Sequence, residues 1–252
     1  MKLYYPQIFS ENKCINSCFT FANRDVWNPS NEIQGLNFGL NTSASDAEIR
    51  SALDELLLQL GWRWSGLALA RQVHGTEIKE VEQDGIYENV DGMITTEPGL
   101  ILGIQVADCA AVLVADEVAG VAGAFHAGWR GAISGIVPEG IAAMENAGGS
   151  IPNFKVYISP CISATQFEVG EEVSSQFPEK FRLENKGKKP RVDLKGYLVD
   201  QLKSSGIHES NIEMDPLCTF TETSLYSYRR EGIQSGRMLG LIQLQQKNDE
   251  SE

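Results

Sequence analysis

Histidine is scarce in this chain, with three residues in 252. Basic charge is short as well: 21 Lys and Arg stand against 34 Asp and Glu, for a formal net charge of −13. So negative a chain lacks the basic stripe that a phosphate backbone or an anionic membrane surface demands, which excludes nucleic acid and membrane as partners. It does not exclude a small phosphorylated ligand, because a few arginines reverse the field inside a cleft. No run approaches the roughly 18 apolar residues of a spanning helix, and the opening MKLYYPQIFSENK lacks the apolar stretch of a secretion signal. Five cysteines, odd in number and thinly spread, make no disulfide framework and fit a reducing compartment. Cys14 and Cys18 invite a metal reading, but no second pair follows, so packing is the simpler account. The expectation is a cytoplasmic protein with one domain over residues 1–252, monomeric or a small homo-oligomer.

What is present supports a sizeable core: 42% of the residues are hydrophobic, enough to fold without a staple. SASDAEIRSALDELLLQLG predicts an amphipathic helix, opened by a Ser45/Glu48 capping box and stopped by Gly61. LALARQVHGTEIKEV reads as two strands bent at His74-Gly75. GLILGIQVADCAAVLVAD is a strand-rich apolar run broken at Ala107-Asp108-Cys109, and VAGVAGAFHAG returns as a strand ending at His126. Strands so apolar and small are expected to be buried on both faces. Behind them AISGIVPEGIAAMENAGG predicts a helix with a break or kink near Pro138. A short strand in FKVYISPCI, a helix around GEEVSSQF, a charged loop LENKGKKPR, an amphipathic helix in LKGYLVDQLKSSG and a final strand in RMLGLIQL follow. The tail QQKNDESE is expected to fray. Strands and helices together predict an α+β domain, with a sheet-rich centre and helices outside.

Three segments share a feature. QVHGT, VADCA and FHAGW each put a metal-capable residue at a strand end between Ala or Gly, and small neighbours leave room for a ligand. His74, Cys109 and His126 would suit zinc with three protein ligands and an open fourth position. Their separations match no local zinc-finger spacing. Residue types alone therefore leave two readings open, a shared metal site and three unrelated packed residues.

RQVHGTEI, DGMIT, ADCAAVLVAD, AFHAGWRG, SPCI and SYRREG...GRMLG together resemble the YfiH/YlmD-type family, long labelled laccase-domain or multicopper polyphenol oxidase and now regarded as purine nucleoside phosphorylases with adenosine deaminase side activity. The resemblance runs from about GLNFGL to MLGLI. It implies zinc at His74, Cys109 and His126, and mixed sheets in an α/β/β/α arrangement related to a bacterial toxin deamidase fold. Ser159 stands where the resemblance leads one to expect glycine. The substrates implied are purine nucleosides and inorganic phosphate. Arginine suits bidentate phosphate binding, which makes Arg71, three residues before His74, Arg130, four after His126, and Arg229 the candidates. Asn37 is a ribose or base contact by resemblance only. Asp108 is either a partner orienting a metal ligand or a strand cap, and Cys161 and Cys218 read as structural thiols. In a continuing strand positions 126 and 130 would lie roughly 13 Å apart; a turn or helix start through Gly128 to Gly131 brings them to one cavity.

Rival readings use the same residues. Copper in place of zinc gives a laccase-like polyphenol oxidase, but three histidines cannot furnish a type 1 site plus a trinuclear cluster, and no Met lies within a few residues of Cys109 or His126 for a lone blue-copper centre. A metal-free Cys109/His126 dyad gives a hydrolase or deamidase. A non-enzymatic zinc-binding module would show four protein ligands.

Overall fold

The computed structural model describes residues 1–11, 14–25, 33–62, 65–184 and 187–245. Helix α1 (Asp46–Leu60) starts as the sequence dictates: Ser45 Oγ accepts from the Glu48 amide and the Glu48 carboxylate accepts from the Ser45 amide. Such a cap contributes about 1 kcal/mol. Gly61, at φ 61°, ends the helix in the left-handed conformation. Of its buried stripe, Ala52, Leu56 and Leu57 pack on Leu69, Ile101, Leu239 and Leu241 of a sheet.

That sheet has six strands in the order β1 (Leu3–Tyr4), β2 (Ile15–Thr20), β14 (Met238–Leu244), β7 (Leu100–Val106), β3 (Gly66–Arg71) and β5 (Gly85–Glu88). A second six-stranded sheet runs β13 (Ile212–Met214), β10 (Lys155–Ile158), β8 (Ala110–Asp116), β9 (Val121–Ala127), β6 (Gly92–Thr95) and β4 (Ile78–Glu80). A short ladder joins β11 (Arg182–Leu183) to β12 (Arg191–Val192). Both large sheets are mixed: β3 is parallel to β5 and β7, whereas β14 is antiparallel to β2 and β7. Their inner faces meet through Leu102, Ile104, Leu113, Ala124 and Tyr157. On the outer face of the second sheet Val112, Val114 and Phe125 pack with α3 (Ile136–Asn146) and α5 (Leu194–Ser204). The result is the α/β/β/α layering expected, and every residue of β7, β8, β9 and β14 is buried.

Among the described residues the chain steps from the first sheet to the second three times: from β3 to β4, from β5 to β6 and from β7 to β8. Each step contains a non-glycine residue with positive φ: His74 at 63°, Asn89 at 60° and Asp108 at 80°. Asn, Asp and His tolerate this region better than other side chains, yet it still costs about 1 kcal/mol or more, and it concentrates where a site over-determines the backbone.

Some local expectations shift. The helix after His126 breaks at Gly135, φ 96°, into α2 (Trp129–Ser134) and α3. Pro138 lies in the first turn of α3, where its missing N–H costs no intrahelical bond. The helix expected around GEEVSSQF is the single turn α4 (Glu171–Ser174). Strand β2 went unread in the sequence; its Cys18 is a core residue, and burial pushes its thiol up. Of the polar tail, all but Gln245 lies outside the described residues, as do positions 185–186 of the charged loop.

Candidate metal centre

His74 projects from the β3–β4 step, Cys109 closes the β7–β8 step, and His126 is the penultimate residue of β9. Their ligand atoms all lie within 4.8 Å of one another. The two imidazoles meet edge to face, with centroids 4.8 Å apart. His74 is exposed, Cys109 half-buried and His126 buried, so the group has a closed floor and an open side. Gly128 explains part of AFHAGWRG: a Cβ there would sit 2.8 Å from Cys109 Sγ and 3.1 Å from His74 Cδ2. Only glycine lets the chain pass this close to the donors.

One residue the sequence reading passed over organises the group. Asp91, fully buried at the start of β6, accepts at Oδ1 from His126 Nδ1 at 2.7 Å and from the His74 amide at 2.9 Å. Its Oδ2 accepts from the amides of Val73 at 3.1 Å and Gly75 at 2.7 Å. A carboxylate only accepts, so His126 donates its Nδ1 proton to Asp91, and Nε2 is the nitrogen that faces outward for a metal to take. Three consecutive amides on the same carboxylate fix the left-handed turn that carries His74. The available signal was an Asp opening the apolar strand in VDGMIT, because Asp is almost never fully buried unless paired.

Burial alone would raise the Cys109 thiol, but the adjoining His126 and His74 imidazoles outweigh it and bring it down to about 6. Burial likewise works against a charged His126, and the Cys109 thiolate with the Asp91 carboxylate reverses that and raises it to about 9. Burial opposes ionisation of Asp91 too; the His126 bond and the backbone amides still hold it below the usual carboxylate range. The pocket thus favours a thiolate paired with an imidazolium, and a metal binding there would displace the proton on His126 Nε2.

A cavity of about 800 Å³ opens over the three donors. Its lining combines apolar Trp129, Ile162, Phe167 and Leu194 with polar Thr42 and Gln234. Arg130 and Arg229 line it, as anticipated. Arg130 is the second residue of α2, which starts directly after the Gly128 turn, and its guanidinium lies 4.4 Å over the Trp129 ring. Arg229 lies 5.5 Å over Phe167 and donates to the Glu168 carbonyl. Arg237, not anticipated, also lines the cavity, with Nη1 on the carbonyls of Ser235 and Gly236.

Three expectations need correction. Arg71 does not line the cavity: it sits directly opposite Glu88 in the β3–β5 register and pairs with it at 3.0 Å, an edge-strand ion pair worth about 1 kcal/mol or less. Asn37 does not line it either, since its amide is spent within the wall, accepting from the amides of Gly39 and Arg237 and donating to Thr42 Oγ1. Asp108 faces the cavity, but its carboxylate holds no metal-ligand candidate; it accepts from Thr219 Oγ1 and from the Arg229 amide, both at 2.6 Å, and so fastens α6 (Tyr228–Glu231) to the rim. Elsewhere, burial pushes the Cys161 thiol up to about 12, and Cys218 Sγ accepts from the Ser163 amide. Ser159, in place of the expected glycine, is buried and accepts at Oγ from the Ala111 amide. The third histidine, His208, is bonded to Ser210 in an exposed turn.

The family model described as multi-copper polyphenol oxidoreductase laccase matches residues 18–245. A purine nucleoside phosphorylase of Deinococcus radiodurans is 34% identical over 200 residues, covering 78% of this chain and 77% of that protein. An adenosine deaminase, RL5, from an unknown prokaryotic organism is 30% identical over 200 residues, covering 72% and 76%. Among solved structures, a hypothetical protein YfiH of Bacillus licheniformis superposes with a TM-score of 0.85 at 26% identity, over 94% of each chain. No described helix is long and apolar enough to cross a membrane.

Proposed function

Because the chain belongs to the multi-copper polyphenol oxidoreductase laccase family, we propose from its site that it is a purine nucleoside phosphorylase holding zinc at His74, Cys109 and His126. The observation that carries the reading is the convergence of these donors beneath a cavity whose wall presents Arg130, Arg229 and Arg237. Relatives named purine nucleoside phosphorylase and adenosine deaminase support the substrate class. One thiolate and two imidazoles, with His126 oriented by a carboxylate, are a donor set that fits zinc with an open fourth position. The multi-copper description fits poorly, since the chain has three histidines in all and His208 is engaged elsewhere.

In phosphorolysis a phosphate oxygen bonds to the anomeric carbon while the glycosidic C–N bond breaks; the purine leaves with the electron pair and takes a proton. The chain's task is to position the anion and to lower the cost of charge leaving with the base. Arg130, its plane fixed by Trp129, presents a rigid fork to phosphate. Ile162 and Leu194, with Trp129 and Phe167, give a purine an apolar wall. Asp91 keeps the proton of His126 on Nδ1. When bound, zinc would supply a Lewis acid and an acidified water, the chemistry of the deaminase side activity.

Inosine or adenosine cleavage is expected to require inorganic phosphate and to yield ribose-1-phosphate; base release at an equal rate in phosphate-free buffer would make the protein a hydrolase instead. Arg130→Lys should retain metal but raise the phosphate KM about tenfold, the equivalent of losing one charge-assisted bond. The nucleoside KM should move little. Unchanged phosphate saturation would remove Arg130 from the phosphate site.

A further inference from the structure

A second depression, of about 510 Å³, opens beside the main cavity. The two share one wall made of Trp129, Arg130, Phe167 and Arg229. That wall consists of two guanidinium-on-aromatic stacks, with cations held at the boundary between two spaces. Stacking fixes each guanidinium plane and leaves its N–H edge to donate. Among the described residues Arg130 makes no hydrogen bond or ion pair besides its stack on Trp129. Lys189 lines this depression and not the main cavity. The carboxylate lining the depression, Glu168, faces Arg191 at 3.4 Å, which offsets its charge. In a chain of net charge −13, this concentration of cations around an open space favours an anion there. The space also exceeds what inorganic phosphate at the shared wall would fill.

Resting on the nucleoside reading of the main cavity, we propose that this depression is a phosphomonoester subsite, and that the ligand spanning both spaces is a purine nucleoside 5′-monophosphate. The nucleoside part occupies the main cavity, the shared arginines face the linkage, and the phosphoryl group reaches toward Lys189. Such a nucleotide competes with the nucleoside for the same chamber. A free sugar phosphate shares the phosphomonoester chemistry but lacks the base, and binding separates the two.

The test is equilibrium titration of the purified, metal-loaded protein with inosine, inosine 5′-monophosphate and ribose 5-phosphate. The monophosphate is expected to bind about tenfold or more tighter than inosine, the contribution of one charge-assisted contact. Lys189→Glu, a change at an exposed position, should abolish that gain while leaving inosine affinity and phosphate-dependent inosine cleavage unchanged. Ribose 5-phosphate should bind more weakly than the monophosphate. The proposal is overturned if the monophosphate binds no tighter than inosine, if its gain survives Lys189→Glu, or if ribose 5-phosphate binds as tightly. Intact phosphate-dependent cleavage alongside any of these results would sink the subsite alone; absence of both inosine binding and cleavage would sink the phosphorylase reading itself.

Discussion

Cys109→Ala is expected to leave a folded protein with no retained metal and no measurable turnover. The substitution is conservative for folding, because Cys109 is half-buried among small residues and alanine only vacates the sulfur position. It is severe for the site, because the thiolate is the one anionic donor among the three. Changes one shell further out typically cost 10–100-fold in affinity or activity, so removing a ligand should exceed roughly 100-fold in both. Metal analysis after gel filtration and an inosine assay read the two effects. A variant that kept one zinc per chain would defeat the ligand assignment. The thiolate-favouring environment of Cys109 also suits a metal-free dyad with His126, and chelation of the unaltered protein separates that alternative. Activity lost on stripping and restored by zinc supports the metal centre, whereas activity that survives stripping supports the dyad.

The second large effect is expected at a residue that would touch neither metal nor substrate. In Asp91→Asn four donors converge on a group with a single acceptor oxygen. If the amide oxygen takes the Oδ1 place, its NH₂ opposes the buried amides of Val73 and Gly75. If it takes the Oδ2 place, its NH₂ opposes the His74 amide and drives the His126 proton onto Nε2, the ligand nitrogen. Each unmet buried donor costs about 1–3 kcal/mol. For a chain of this size that lowers Tm by roughly 5 °C or more, and metal affinity should fall about 10–100-fold. Chelator competition with calorimetry checks both. A variant with wild-type metal affinity would show that Asp91 is a packing residue only.

How much of this could be read beforehand depended on how local the cause was. The capping box of α1 is written within four residues and appears as expected. The apolar runs of β7, β8 and β9, and the breaks that carry Cys109 and follow His126, were equally plain. Asp91 was not, because its worth lies in donors from positions 73–75 and 126, which only the folded chain assembles. Arg71 misled for the converse reason. Proximity in sequence to His74 suggested the cavity, but strand alternation and the Glu88 register send it to the sheet edge. Asn37 and Asp108 carry the right chemistry near the right place, yet their polar atoms are spent on the wall itself.

The three steps between the sheets have a mechanical meaning. His74 and Cys109 stand on two of them, and Asp91 ends the third, gripping both histidines. The donor cluster is therefore a seam sewn through the sandwich where its layers are joined. An ion held there closes loops of about 35 and 17 residues at one point, so part of its binding energy opposes unravelling of the chain. A metal bound at these donors would thus also hold the two halves of the frame in register.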